Sequence, residues 1–201
     1  MTPLVSIITS TYQATAVEIR RCLTSVLRQT MGNFEHIVAS DGLHEPIVAA
    51  AVGEAGDPRI RYLVSDRHHG NFGNGVRQEV MMRHATGRYL VFFDDDNVIF
   101  PRYLERLSRA LADTREQGTM FATCEQLHFG PLQSFLGEPP VVLTGEPKLY
   151  YIDTLQVMVQ ADAMRSVGWN TNHPYADGIG YQELARRYPH ARVPECLCVH
   201  L

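Results

Sequence analysis

The stretch YLVFFDDDNVIFP, residues 89–101, decides how the rest of the chain is read. Five strand-forming apolar residues run into three consecutive acids, and the sequence then returns at once to apolar residues. Asp94, Asp95 and Asp96 repel one another, and a solvated loop has no need of all three. A bound cation would offset the repulsion. In an extended chain, residues two apart project to one side, about 6.5–7 Å apart along the strand. Asp94 and Asp96 are therefore expected to face one ligand while Asp95 points elsewhere. An oxygen-only set suits Mg2+ or Mn2+, which keep positions for water and for phosphate oxygens. The competing reading is a helix N-cap ahead of Pro101, although a cap uses only one acid.

Outward from this stretch, two periodicities alternate. LVSII (4–8), HIVAS (36–40) and IRYLV (60–64) join YLVFF (89–93) as short apolar runs of the kind buried on both faces of a sheet. Between them, Ile19, Cys22, Leu23, Val26 and Leu27 fall at helical spacing, and Pro46 opens a helix through IVAAAV. Val76, Val80 and His84 share a helical face that is expected to end near Gly87, and Leu104, Leu107 and Leu111 align after Pro101. Four strand–helix alternations predict an α/β fold: a parallel sheet with helices on both faces. Residues 125–151, punctuated by glycine and proline, read as loops around short strands such as VVL. Beyond them LQVMVQ reads as a strand, ADAMRSV as a short helix, and Tyr181, Leu184, Ala185 and Tyr188 as a further helical stripe with Asp177 just upstream.

Composition narrows the function. Two hundred and one residues suit one domain, and 45% hydrophobic residues allow a large core. Eighteen basic against 22 acidic residues give a net charge of −4, which offers nucleic acid little footing. No apolar run approaches the roughly 20 residues of a membrane span, and the N-terminus lacks the flank of a signal peptide. Peripheral membrane contact stays open. Cys22, Cys124, Cys196 and Cys198 are too irregular for a disulfide framework and read as reduced thiols in a cytoplasmic protein.

In parallel sheets ligands bind beyond the carboxyl ends of the strands. TSTYQ (9–13), SDGLHEP (40–46), SDRHHGN (65–71) and DDDN (94–97) all fall at that edge. PLVSIITSTYQ, RCLTSVLRQTMGNFEHIVASDG, VRQEVMMRHATGRYLVFFDDDNVIFPRYL and the tail after Gly168 resemble a GT-A glycosyltransferase of the family-2 type. The resemblance covers nearly the whole chain and is weakest at 125–150. It implies a single GT-A domain over 1–201, a Rossmann-like, mostly parallel sheet with helices on both faces, divided into a nucleotide-sugar-binding half (1–100) and an acceptor-binding half (101–201) that includes a small β/loop region.

Carried over residue by residue, the resemblance has Thr9, Ser10 and Tyr12 lining the nucleoside and Asp41 accepting a hydrogen bond from the base. Ser40 stands where the family has a first acid. Arg77 would lie near the diphosphate or the acids, with Gln78 in place of the family's Asn. Asp94-Asp95-Asp96 matches the DXD motif, in which Asp96 would bind the metal directly beside Asp94, and His200 would be a further ligand. Trp169 would sit beside the acceptor. Each has a plain structural alternative: turn chemistry for Asp41, rim packing for Tyr12, solvation for Arg77, core packing for Trp169 and His200.

The implied reaction is metal-dependent transfer of one sugar from a nucleoside-diphosphate donor to a hydroxyl acceptor (glycan, lipid-linked or small molecule), with inversion. The acceptor hydroxyl needs a carboxylate to take its proton. Asp177 is the expected base, and Glu183 the competitor. QELAR lacks the Trp of the family's processive members, so a single transfer to a discrete acceptor is expected. A catalytically silent nucleotide-sugar-binding module and a nucleotidyltransferase are the alternatives. The second would want a glycine-rich basic loop after strand one, which TSTYQATA is not.

Overall fold

The computed structural model describes residues 2–130, 136–169 and 171–201. Strand β1 (Val5–Thr11) leads into helix α1 (Ala16–Leu27), whose start is fixed by a reciprocal Thr15–Glu18 capping box. Ile19, Cys22, Leu23 and Val26 form its buried stripe. Strand β2 (Phe34–Ser40), helix α2 (Pro46–Ala55) and strand β3 (Ile60–Val64) follow. Pro46 opens α2 where its missing N–H costs nothing, and Gly56 closes it in the left-handed region. Helix α3 (Asn74–Arg83) precedes strand β4 (Tyr89–Asp94), two-residue strand β5 (Val98–Ile99) and helix α4 (Tyr103–Asp113). The rest comprises strands β6 (Phe121–His128), β7 (Val141–Leu143) and β8 (Val157–Gln160), helices α5 (Ala161–Val167) and α6 (Ala176–Arg187), and strand β9 (His190–His200).

Among the described residues the strands make one sheet in the order β3-β2-β1-β4-β8-β6-β9-β5, with β7 paired to β6. The first four are parallel. Beyond β4 the sheet becomes mixed: β8 runs antiparallel to β4 and β6, and β9 runs parallel to β6. Successive residues of β4 point to opposite faces, so Val91 and Phe93 pack with α1 and α4, while Leu90 and Phe92 pack with α3, α5 and α6. Fully burying a side chain such as Phe92 or Phe93 contributes on the order of 2–3 kcal/mol, and these two anchor the strand that carries the acids.

Several expectations are corrected. Strand β1 runs on to Thr11, so Thr9 and Ser10 lie within it. Residues 125–128 belong to β6 rather than to a loop, because Gln126, Leu127 and His128 pair with β7 on one side and β9 on the other. Helix α3 ends at Arg83, capped by His84. Gly87 is not a helix terminator: a Cβ there would lie 2.5 Å from the Ser6 backbone nitrogen, so glycine lets the chain enter β4 against β1. Asp177 lies inside the first turn of α6, not upstream of it. The reading of 125–151 as loops also covers residues 131–135, which lie outside the described residues.

Candidate active site

A cavity of about 880 Å³ opens at the carboxyl ends of β1 and β4. One wall comes from Ser10 near the end of β1, Tyr12 just after it, Asp41 after β2, and the segment Gly70–Asn74 leading into α3; the other carries His128, Asp153, Thr154, Asp177 and His200. The turn Asp94–Asp96 lies between the two walls.

The acids do not lie in an extended chain. Strand β4 stops at Asp94, and Asp95 and Asp96 form a turn, so the assumed alternation, with Asp95 directed away, gives way to all three acids lining the cavity. Burial pushes the Asp95 carboxyl up to about 7, opposed by a hydrogen bond from Thr11 and reinforced by the charges of Asp94 and Asp96. Asp96 is raised by burial and then by Asp94. Like charges held this close in partial burial make a turn that is short of positive charge, a donor set that fits a hard divalent cation. Arg77 supplies part of the compensation. It is buried in α3 rather than on a solvated face, donating to Asp94 Oδ1, to the Phe72 carbonyl at 2.8 Å and to Asn74 Oδ1 at 3.1 Å.

Asp41 is 3% exposed, and its two oxygens accept the backbone N–H groups of His69 (2.6 Å) and Gly70 (2.7 Å). It thereby holds the segment that bends into α3, whose N-terminus faces the cavity. Ser40 is buried and bonded to Tyr62 Oη at 2.7 Å and to the Leu43 carbonyl at 2.6 Å. Tyr12 is half exposed and rests against the His68 ring at 5.3 Å. Ser10 lines the cavity, whereas Thr9 lies beneath it, with its hydroxyl 2.8 Å from His36 Nε2.

On the far wall, burial and then the neighbouring charge of Asp153 push Asp177 up to about 7. Thr154 Oγ1 donates to Asp177 Oδ2 at 3.3 Å. Glu183 is not brought to the cavity: it is partly exposed on α6, paired with Arg187 at 2.8 Å and Arg186 at 3.6 Å. Trp169 is likewise in the core and not beside the cavity. Its ring meets Phe92 edge-on at 4.9 Å and Tyr181 at 6.0 Å, and its backbone N–H donates to Gln78 Oε1. The Arg77 guanidinium lies 5.8 Å from the same ring, so Trp169 supports the arginine from behind.

His200 is within electrostatic reach of Asp94 and Asp96, but its direct partners are Asp153 and His128. Its Nδ1 is 2.9 Å from Asp153 Oδ2, and its ring stacks on His128 at 4.1 Å. The stacking follows from register, because His128 and His200 are directly paired across β6 and β9. Two register shifts, which pass over Pro194 and Glu195 and then Leu197, bring this about. His128, Asp153, Thr154 and the exposed Phe72 went unrecognised in the sequence. Pairing of β6 with β9 brings His128 to His200, and Asp153 joins them from the cap of the turn that precedes β8, while Asn71 and Phe72 have positive φ, 53° and 56°.

The family model described as "Glycosyl transferase family 2" matches residues 6–160. The putative glycosyltransferase EpsH of Bacillus subtilis is 33% identical over 114 residues, which is 56% of this chain and 31% of that protein. WfgD of Escherichia coli, a UDP-Glc:alpha-D-GlcNAc-diphosphoundecaprenol beta-1,3-glucosyltransferase, is 32% identical over 102 residues, 51% of this chain and 38% of that protein. The chain thus spans less than half the length of these curated relatives. Among solved structures, residues 1–349 of Staphylococcus aureus TarS match with a TM-score of 0.75 at 15% identity, covering 98% of this chain and 60% of that one. The mannosyltransferase PcManGT of Pyrobaculum calidifontis, in complex with GDP-Man and Mn2+, matches with 0.74 at 19% identity, covering 100% and 57%. These structural likenesses show a shared fold, the GT-A arrangement.

Proposed function

The chain belongs to glycosyl transferase family 2, and on that premise we propose that it moves one sugar from a nucleoside-diphosphate donor to a hydroxyl acceptor with inversion. The observation that carries this reading is a single cavity joining the acidic turn Asp94–Asp96 to a carboxyl, Asp177, whose pKa is raised to about 7. A general base works best with a pKa near the working pH, and Asp177 has that value on the wall opposite the donor half.

In this reading the 1–100 half holds the donor. Tyr12 and Asp41 flank the base, and the α3 N-terminus and Arg77 face the diphosphate, where orphan N–H groups and a fixed cation favour negative charge. Asp96, with Asp94 beside it, would hold a divalent ion, Mn2+ or Mg2+. When bound there, the ion supplies neutralisation of the charge that develops on the departing diphosphate. The 101–201 half presents the acceptor hydroxyl to Asp177, which takes its proton while Thr154 orients the carboxylate. GDP-Man with PcManGT and UDP-GlcNAc with TarS support the donor class. Among the described residues no helix is long and apolar enough to cross a membrane, and we propose that the chain works on the cytoplasmic side.

The test is release of nucleoside diphosphate from UDP-, dTDP- and GDP-sugars with Mn2+, with and without hydroxyl acceptors. The expected result is acceptor-stimulated, Mn2+-dependent release that Asp177→Asn reduces by orders of magnitude while donor binding persists. Tight donor binding with no release from any donor would instead identify a silent binding module.

A further inference from the structure

We propose that His128, Asp153 and His200 form a second cation site, for a divalent transition-metal ion of the Mn2+–Zn2+ class, separate from the oxygen-only turn at Asp94–Asp96. The three side chains each bring one ligand atom within 4.8 Å of the others. Two ligands on opposite sides of an ion at about 2.1 Å stand about 4.2 Å apart, so closure asks only for small side-chain adjustments. Two imidazoles and one carboxylate are a donor set chosen by transition metals over Mg2+, with positions left open.

Two further features support a built site. A Cβ on Gly130 would lie 2.8 Å from His200 Nε2 and 3.2 Å from His128 Nε2, so both ring nitrogens border the one space that glycine keeps clear. The carboxylate is also prepared. Gln126 Nε2 donates to Asp153 Oδ2 at 2.9 Å and orients it, the kind of outer hydrogen bond that positions metal-ligating groups. All three residues border the main cavity, which gives an ion a way in. This inference does not rest on sugar transfer, since the site needs neither donor nor acceptor.

The test is calorimetric titration of the chelator-stripped full chain with Zn2+, without nucleotide, together with Co2+ visible absorption. One equivalent is expected to bind to the wild type and to Asp96→Ala, with the intense visible bands of a four-coordinate Co2+ ion. His128→Ala is expected to weaken Zn2+ at least ten-fold. Gly130→Ala keeps every ligand, fills the cleared space and is expected to do the same, which guards against a misfolded His128 variant. Loss of the ion in folded Asp96→Ala, its retention in both His128→Ala and Gly130→Ala, or the absence of binding to the wild type overturns the proposal.

Discussion

The Arg77 guanidinium donates to Asp94 Oδ1 at the floor of the cavity, with the arginine side chain only 5% exposed. Asp95, Asp96 and Asp177 lie around the same space. Arg77→Met would leave these acids without their buried counter-charge, and breaking one side of a buried pair costs roughly 3–5 kcal/mol. Arg77→Lys restores the charge but not the fork that also reaches the Phe72 carbonyl and Asn74. Urea unfolding is expected to place the lysine variant between methionine and wild type. Equal midpoints for all three would remove Arg77 from the electrostatic account.

The contribution of Asp177 to stability should fall as pH rises from about 4 to about 7, against the opposite contribution of buried His36, whose imidazole is lowered to about 3. Native Asp177 holds its proton up to about 7, whereas the unfolded chain releases it near 3.8. Between those values the native state binds more protons, so raising the pH favours unfolding. Asp95 acts in the same sense over the same window. Asp177→Asn is expected to flatten the Tm-against-pH curve and to be more stable than wild type at pH 8. Transfer by the wild type should rise with pH through an apparent pKa near 7, while Glu183→Gln should leave both curves unchanged. A steep loss of transfer in Glu183→Gln would move the base to α6's exposed face.

Asp41→Asn tests the loop that leads into α3. The carboxylate accepts two backbone N–H groups, and hydrogen bonds to a charged acceptor are worth about 1.5–3 kcal/mol. An amide can accept with only one end, so one N–H loses its partner. Amide exchange at His69 and Gly70 is expected to quicken, and affinity for a UDP- or GDP-sugar to drop about ten-fold, equivalent to roughly 1.4 kcal/mol. Unchanged protection at both amides would refute the anchoring role.

Trp169→Phe separates packing from recognition. The indole fills space between Phe92 and Tyr181 and does not border the cavity. Truncation to alanine should cost about 3–5 kcal/mol, while phenylalanine should cost less and leave the acceptor KM within about two-fold. A large KM increase without loss of stability would return Trp169 to the acceptor.

Local chemistry made much of the architecture legible. The apolar runs ending at Ile8, Ala39 and Phe93 are buried strands, and the Ile19–Val26 and Leu104–Leu111 stripes are buried helix faces, whereas IRYLV (60–64) is an edge strand that buries only Ile60 and leaves Val64 exposed. Ser10, Tyr12, Asp41 and the three acids reach one cavity because parallel strands deliver their carboxyl ends to one edge. The reading weakened wherever an outcome depended on partners distant in sequence. Residues 125–128 look like loop because their composition is mixed, yet pairing to β7 and β9 makes them strand. Trp169 and Glu183 sit beside plausible motifs, but Trp169, just after α5, turns into the core against Phe92 and Tyr181, while Glu183 on α6 pairs with Arg186 and Arg187.

The sequence by itself determined the alternation of strand and helix and the acidic turn after β4, because these follow from periodicities and charges within a few residues. Only the tertiary structure decided that Arg77 is buried against Asp94, that Asp177 lines the same cavity as the acids, and that His128, Asp153 and His200 meet. Those relationships depend on strand register and on burial. Both are properties of how distant segments pack, and no short stretch of chain carries them.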